Sequence, residues 1–420
     1  MNAKLKRLAG FAVFLILLLT SLFMINRILE PKYTLSNSSW PTTSTYNQFY
    51  RMEKDTVDVL FFGSSVAAST FVPQVIYDEY GITSYNLASE QQSIFLSYYW
   101  LMEALRFQSP KVVVVDLEFM EDYHPESPIN TRETITRKSI DPMKWSLVKL
   151  KAIRNICRMD SSQSLLSYFL TNIRFHSRWE DLSPDDFDRK MSTSAPLKGY
   201  APIAEKGPDT YEPFLPGQGG TKHEFQNLMQ EYLDRIVELC SDQGIELMLV
   251  NLPGATMDDS INFTHETYAK EYGVTYINLC LPQHIEAIGA KLPEENIVYH
   301  ENIWGAIKTS RYIGRLLQDN YEIPPRKDEA YEDSGKFFEE VLDSFNLTRI
   351  EDAGEYKNAL AKPYFKVYES EGTTITVLGK DYTPSHSGQN TVVFDTNIER
   401  VVDHVTIYGE NVIRYKLELD

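Results

Sequence analysis

A serine that directly follows a short apolar run is the residue whose position points most clearly to chemistry. Residues 57–62 are mostly apolar and are followed at once by Gly63, Ser64 and Ser65. Such a run is typical of a strand buried on both faces of a parallel sheet. Ligands of open α/β sheets bind beyond the carboxyl ends of the strands, so Ser65 is a candidate nucleophile if a base lies nearby. The alternative is that Gly-Ser-Ser is an ordinary turn.

A second stretch, far along the chain, offers the base. His300 opens a His-x-Asn-x-x-Gly-Ala block at residues 300–306. Imidazole suits general-base catalysis because its pKa lies near neutrality. Together the two stretches resemble the SGNH/GDSL hydrolase superfamily, in which the nucleophilic serine follows the first strand and such a block opens the last helix. The resemblance implies that Ser65 is the nucleophile and that His300 is its base.

Two further stretches narrow the resemblance to one branch of that superfamily. Residues 85–89 and the run at 110–117 resemble its membrane-anchored surface proteins, whose relatives help to acylate teichoic acids and exopolysaccharides. The resemblance covers residues 55–320 in pieces. It implies acyl-ester chemistry on a cell-surface glycan or wall polymer, with a membrane-bound O-acyltransferase as a partner.

The chain departs from the superfamily pattern at the third catalytic residue. The superfamily usually has an aspartate three residues before its histidine, and Ile297 stands there in this chain. Glu295 and Asn296 are the candidates to orient the ring, with Glu294 and backbone carbonyls as alternatives. The pattern leaves two interpretations, a Ser-His dyad or an inactive site. Losing the orienting acid alone can cost about 10⁴ in rate.

Candidates to bind an oxyanion or substrate are Ser89, Gln91 and Asn302. Ser89 and Gln92 have the spacing of a capping box, which predicts a helix that runs to about residue 107. The amino terminus of that helix should face the same crevice as Ser65. Its free N–H groups would either stabilise an oxyanion or only cap the helix.

Acidic side chains follow the third predicted strand, where the superfamily usually supplies an oxyanion donor from an asparagine. This chain has Asp116 and Glu118 there. We assign neither of them that role, because ionised carboxylates repel an oxyanion. The sequence has no HExxH or paired-histidine spacing for a metal and no glycine-rich phosphate loop after the first strand. No metal and no cofactor are therefore expected.

Alternating strand-like and helix-like segments predict an α/β fold with a three-layer, mostly parallel sheet of SGNH or flavodoxin-like type. The strand-like segments are residues 57–62, 82–87, 111–117, 245–250 and 274–279. We expect one domain at 55–323 with an insertion at about 119–220. The small residues at 66–69 indicate a loop after Ser65, and a helix is expected at 73–81.

Two regions flank this domain. Residues 30–54 are polar and contain Pro31 and Pro41, which indicates a stalk. Residues 324–420 predict a small α+β module that begins with a charged helix at 328–345. Its β-like runs are at 364–368, 373–378, 391–394, 401–408 and 412–419.

The amino terminus predicts attachment to a membrane. Lys4, Lys6 and Arg7 precede an apolar run at residues 8–25, which is long enough to span a bilayer. Basic residues stay on the cytoplasmic side, so a single-pass anchor at 1–29 places the rest of the chain outside the cell membrane. A cleaved signal peptide is the alternative, but no small-x-small cleavage site follows the apolar run.

Composition limits the partners. The 420-residue chain is 43% apolar and has a formal net charge of −18, which argues against a nucleic-acid partner. An anionic polymer would need a local basic patch or a partner protein. Cys157, Cys240 and Cys280 are too far apart to indicate a disulfide framework, and Cys240 and Cys280 are expected to be buried thiols.

Two functions are therefore carried forward. The first is a membrane-anchored, extracytoplasmic serine esterase or O-acyltransferase that acts on a cell-surface glycan through Ser65. The second is a catalytically inactive scaffold of the same fold that binds glycan or partners a membrane acyltransferase. Retention of Ser65, His300 and Asn302 favours the enzyme, whereas Ile297 favours the scaffold.

Overall fold

The structure is a computed structural model that describes residues 3–34, 38–121, 123–182, 184–187, 197–203, 214–217, 220–291, 295–297, 299–347, 368–370, 373–378, 405–406 and 412–419. Helices α1 to α15 span Ala3–Leu29, Thr42–Phe49, Ser65–Thr70, Pro73–Tyr80, Ile94–Ala104, Glu133–Ile140, Leu147–Met159, Leu165–Phe169, Asn172–Phe175, Pro184–Phe187, Asn227–Gln243, Asp259–Tyr272, Pro282–Ile288, Ile303–Asn320 and Glu329–Leu347. Strands β1 to β11 span Val59–Phe62, Ser84–Asn86, Val112–Asp116, Glu246–Asn251, Thr275–Asn278, Asn296–Ile297, His300–Glu301, Tyr368–Ser370, Thr373–Leu378, Val405–Thr406 and Val412–Leu419. Short 3-10 helices span Glu118–Met120 and His176–Glu180.

Five parallel strands form the central sheet, in the order β2-β1-β3-β4-β5. This is the order of a flavodoxin-like, doubly wound sheet. All five strands predicted from the sequence are present, and the prediction of a mixed α/β fold with a parallel sheet is confirmed. Four of the five strands are shorter than their predicted segments, because the flanking residues belong to the turns, and β4 is shifted by one residue along the chain. β1 lies between β2 and β3, beside the point at which the strand order reverses, so its carboxyl end opens at the crevice where ligands bind in such sheets.

Side chains of β1 alternate between two apolar clusters, one on each face of the sheet. Leu60 and Phe62 pack with residues of α5, α7 and α11, whereas Val59 and Phe61 pack with residues of α3, α4 and α14. Burial on both faces explains why the run at 57–62 lacks the polar–apolar alternation of a half-exposed strand.

The region expected to be a polar stalk contributes to the domain core. Its helix α2 buries Tyr46 and Phe49, which lie three residues apart on one helix face. Tyr46 stacks on Trp100 with ring centroids 3.8 Å apart, and its hydroxyl donates to Gln92 Oε1 at 2.9 Å. The composition of residues 30–54 conceals these aromatic contacts, because the neighbouring Ser and Thr residues dominate it.

Regions outside the central sheet follow the predicted outline in part. The insertion contains helices α6 to α10 among its described residues. The charged helix expected at 328–345 is α15. Strands β8 to β11 form an antiparallel sheet in the order β10-β11-β9-β8. The run expected at 391–394 and most of the runs expected at 364–368 and 401–408 lie outside the described residues.

The amino-terminal helix α1 is long and apolar enough over Lys4–Leu29 to cross a membrane. Its most apolar stretch is not buried by the rest of the protein, although Leu29 at its end is. Cysteines 240 and 280 are buried, at 1% and 0% exposure, which confirms their predicted environment.

Gly63 is the position at the end of β1 that tolerates no side chain. Its φ is +154°, and a Cβ there would lie 2.7 Å from the Cβ atoms of both Ala67 and Asp116. We therefore predict that Gly63→Ala lowers the free energy of unfolding by about 2–5 kcal/mol, through backbone strain plus overpacking. Chemical denaturation measures the change.

The matched control is Gly244→Ala. Gly244 has a φ of +67°, but a Cβ there meets no atom within 4 Å. Only the backbone term of about 1 kcal/mol is then expected. Equal losses in the two variants would contradict the close approach of β1, α3 and β3.

Candidate active site

Ser65 is the first residue of α3, directly after the turn that ends β1. Ser64 is the N-cap, and its Oγ accepts a hydrogen bond from Val66 N at 3.1 Å. The prediction of a loop at 66–69 is wrong. These residues belong to α3, because the cap and the two alanines favour a helix. Asn86 holds α3 against β2 by donating from Nδ2 to the carbonyls of Ala67 and Phe71, at 2.9 and 3.1 Å. Ser65 is thus held at the carboxyl edge of the sheet.

The structure brings Ser65 and His300 together. Ser65 Oγ and His300 Nε2 lie 2.8 Å apart, within the range for a nucleophile and its base. His300 is half-buried on β7, which pairs with β6 in a tight antiparallel hairpin. With Nε2 unprotonated, Ser65 donates this hydrogen bond, which is the arrangement that proton removal requires.

Helix α14 fixes the hairpin relative to α3. The Ser310 hydroxyl on α14 donates to Thr70 O and accepts from Val72 N, both at 2.8 Å. Thr309 on the same helix donates to Glu301 Oε1 at 2.8 Å, so the strand that carries His300 is tied to α14 as well. These two adjacent hydroxyls connect the nucleophile side of the site to the base side.

The two residues predicted to orient the His300 ring make other contacts or none. Glu295 accepts from Lys291 N at 2.7 Å and pairs with Lys308 at 2.7 Å, while the buried side-chain amide of Asn296 makes no hydrogen bond to any described residue. Neither side chain orients His300 in this structure. Glu294 lies outside the described residues. Ile297 is the partner of His300 in the β6–β7 register, so the position of the superfamily aspartate stands directly across the ladder from the histidine.

Trp40 is a residue of the site that sequence reasoning missed. Its ring centroid lies 5.1 Å from that of His300, with the ring planes tilted by 40°. Trp40 covers one side of the imidazole and shields it from water. No local pattern signals this contact, because Trp40 lies in the polar segment between α1 and α2.

Buried carboxyls lie on the other side of the serine pair. Ser64 Oγ hydrogen-bonds to Glu118 and lies 3.5 Å from Asp116 Oδ2. Burial raises the pKa of Glu118 to about 7, and burial together with the charge of Glu118 raises the pKa of Asp116 well above its ordinary value. Near neutral pH a large share of this pair is protonated, so the repulsion of an oxyanion argued from fully ionised carboxylates is reduced here.

The three predicted oxyanion or substrate residues make other contacts. Ser89 donates from N to Gly63 O at 3.2 Å and from Oγ to Gln92 Oε1 at 3.1 Å. Gln91 has a φ of +47°, and its Oε1 lies 3.0 Å from His124 Nε2. Asn302 caps α14 by accepting from Gly305 N at 3.3 Å. Among the hydrogen bonds between described residues, none joins any of the three to Ser65.

The prediction that Ser89 and Gln92 form a capping box is wrong. Helix α5 begins only at Ile94, and Ser93 is its N-cap. Ser89 and Gln92 instead form a hydrogen bond with each other. Gln92 also accepts a hydrogen bond from the Tyr46 hydroxyl and donates one to Leu87 O at 3.1 Å. These contacts with α2 and with the end of β2 hold residues 89–92 in a turn before the helix.

A second polar cluster lies beyond the ends of β3 and β4. His223 Nε2 lies 3.1 Å from both carboxylate oxygens of Glu121, and His265 Nδ1 lies 2.7 Å from Asn251 Oδ1. His265 Nε2 is 3.7 Å from Glu121, which is too long for a hydrogen bond. In the part of the chain that the structure describes, no three His, Cys, Asp or Glu side chains form a metal-binding group.

Glu301, next to His300, makes stability depend on pH. It is fully buried, burial raises its pKa to about 8, and its Oε2 has no hydrogen-bond partner among the described residues. Because the folded-state pKa exceeds the ordinary value of 4.5, its stabilisation is complete below pH 4.5 and is lost as pH rises through about 8. We predict that Glu301→Gln lessens the fall in thermal midpoint between pH 5 and pH 8.

The control for this prediction is Glu231→Gln, on the exposed surface of α11, where Glu231 pairs with Arg235. This variant should keep the pH dependence of the wild type. If Glu301→Gln also keeps it, Glu301 is ionised in the folded protein at pH 5, contrary to the assignment.

Comparisons with known proteins leave the family of this chain open. No family model and no curated protein sequence matches it. Among solved structures, a proposed acylhydrolase from Bacteroides fragilis NCTC 9343 is similar with a TM-score of 0.30 and 11% sequence identity. The match covers 65% of this chain and 94% of that chain. A TM-score this low carries no argument about fold or activity, so the chemistry proposed below rests on the site itself.

Proposed function

We propose that this protein is a membrane-anchored, extracytoplasmic serine esterase or O-acyltransferase that acts on a cell-surface glycan or wall polymer. The observation that carries the proposal is the 2.8 Å contact between Ser65 Oγ and His300 Nε2. A serine hydroxyl becomes an effective nucleophile when a positioned base takes its proton in the transition state.

The proposed reaction has two halves that share the same two side chains. His300 Nε2 removes the Ser65 proton while Oγ attacks the carbonyl carbon of an acyl ester. The ester C–O bond then breaks, and the imidazolium gives its proton to the leaving alcohol, which leaves an acyl-Ser65 ester. In the second half His300 takes a proton from water, for hydrolysis, or from a glycan hydroxyl, for transfer. That oxygen attacks the acyl carbon and the bond from this carbon to Ser65 Oγ breaks. The imidazolium of His300 then returns its proton to Oγ, which restores both side chains.

The location outside the cytoplasm is proposed from α1. This helix is long and apolar enough to cross a membrane, and Lys4, Lys6 and Arg7 precede its apolar run. Basic residues on that side favour a cytoplasmic amino terminus and an external domain. A membrane-bound O-acyltransferase is the partner we propose as acyl donor, because it would supply acyl groups beside the anchor.

The second candidate is an inactive scaffold that binds glycan or supports such an acyltransferase. The observation that favours it is Ile297, which is the cross-strand partner of His300 where the superfamily usually has aspartate. The two candidates differ in a single measurable property, which is acylation of Ser65.

Adjacent serines allow a matched test of the nucleophile. We predict that Ser65→Ala and His300→Ala each lower ester turnover by about 10³-fold or more, since a nucleophile and its base act as a unit. A fluorophosphonate probe should label the wild type and fail to label Ser65→Ala. Ser64→Ala is the control. It loses a helix cap, at about 1 kcal/mol, but retains labelling.

Two outcomes would overturn the assignment of Ser65 as the nucleophile of an enzyme. Absence of labelling in folded wild-type protein, with cellular function retained in Ser65→Ala, would favour the scaffold. Labelling that is lost in Ser64→Ala and retained in Ser65→Ala would transfer the nucleophile to the neighbouring residue.

The topology is tested separately on intact cells. External protease should remove the globular part and leave a small membrane-bound fragment that contains α1. Complete protection of the globular part while the membrane stays intact would contradict the extracytoplasmic location.

A further inference from the structure

Exposed aromatic and aliphatic side chains are concentrated beside the outer end of α1. They are Trp145, Phe169, Ile173, Trp179 and Phe187, here called the juxtamembrane patch. These five side chains are between 46% and 66% exposed. All belong to the insertion after β3, and Trp145 stacks on Phe169 with ring centroids 4.5 Å apart. The active-site chemistry gives this patch no role.

Polar contacts attach the patch to the last turn of α1. Thr171 Oγ1 donates to Asn26 O at 3.2 Å, and Asn172 N donates to Asn26 Oδ1 at 3.0 Å. Arg178 donates to Leu29 O at 2.8 Å and also pairs with Asp186 at 2.8 Å. These bonded residues alternate in sequence with the patch residues from Phe169 to Phe187, so they set the position of the patch relative to α1.

The position along α1 can be converted into a depth in a bilayer. The apolar run at residues 8–25 has a length of about 27 Å at 1.5 Å per residue, close to the roughly 30 Å hydrocarbon core. Asn26 and Leu29 then lie in the headgroup region. Phe23 and Met24 lie at the outer edge of the core, and they line a cavity of about 520 Å³ together with three patch residues, Trp145, Phe169 and Phe187.

Charge supports the same location. The helix that follows Trp145, α7, has three exposed basic side chains, Lys151, Arg154 and Arg158, and no acidic residue, although the chain as a whole has a net charge of −18. Tryptophan and basic side chains together are typical of protein segments at a membrane–water interface.

We propose that the juxtamembrane patch inserts into the outer leaflet of the membrane crossed by α1. The lipid bilayer is its occupant, and the insertion thereby holds the catalytic domain at the membrane surface in one orientation. This inference rests on the membrane anchor of the proposed function. It is independent of whether Ser65 is acylated.

Spin labels in nanodiscs test this inference on the full-length chain. Labels are attached to single cysteines introduced as Ile173→Cys or Trp179→Cys in a Cys157→Ser background, where the remaining Cys240 and Cys280 are buried. The nanodiscs contain phosphatidylcholine and phosphatidylglycerol. At both sites we expect collisions with oxygen to exceed those with a water-soluble nickel chelate.

Two reference labels separate failure of the anchor from failure of the patch. Ile16→Cys lies within the apolar run of α1, and Gln318→Cys lies exposed in the last turn of α14. At Ile16 collisions with oxygen should exceed those with the nickel chelate, here called the lipid pattern. At Gln318 collisions with the nickel chelate should dominate, here called the water pattern.

A lipid pattern at Ile16 with a water pattern at both Ile173 and Trp179 overturns the inference, and a protein partner would then be the occupant of the patch. A water pattern at Ile16 as well overturns the anchor, and the inference with it.

Discussion

The hydrogen bond between Ser65 and His300 joins side chains that are 235 positions apart in the chain. Neither residue is reactive by itself, so the arrangement depends on everything that fixes their separation. β1 places Ser65 beside the point at which the strand order reverses, and the β6–β7 hairpin places His300. Small displacements matter, because a shift of about 1 Å can cost 10²-fold in rate. The contacts of α14 with Thr70, Val72 and Glu301 are therefore part of the site, although none of them touches a substrate.

Electrostatics around the serines follow from burial. Among the described residues no cation contacts Asp116 or Glu118, and the cost of desolvation raises the pKa of both. Burial also raises the pKa of Glu301, which lies next to His300. The site is thus bounded by carboxyl groups that are partly or largely neutral near pH 7. Raising the pH charges them, which weakens folding and makes the surroundings of Ser65 more negative at the same time.

The sequence predicted what depends on local pattern and missed what depends on distant contacts. The continuous apolar run of β1 and the Gly-Ser-Ser turn located Ser65, and the block at 300–306 located His300. Trp40 could not be predicted, since its ring meets His300 only after the segment between α1 and α2 folds back on the domain. Ser89 illustrates the reverse error. Its spacing to Gln92 fits a capping box, yet contacts of Gln92 with Tyr46 and Leu87 move the start of the helix to Ile94. The prediction that Glu295 orients His300 failed because of a contact that is also beyond local pattern, since Lys308 pairs with Glu295.

Trapping the acyl intermediate tests the central claim most directly. The full-length protein is incubated with an activated acyl ester, quenched in acid during turnover, and digested for peptide mass spectrometry. The account predicts one acyl group, located on Ser65, whose formation slows as His300 is protonated at low pH and which is absent in His300→Ala. An acyl group on another residue, or none on folded protein while the ester is consumed, would contradict it.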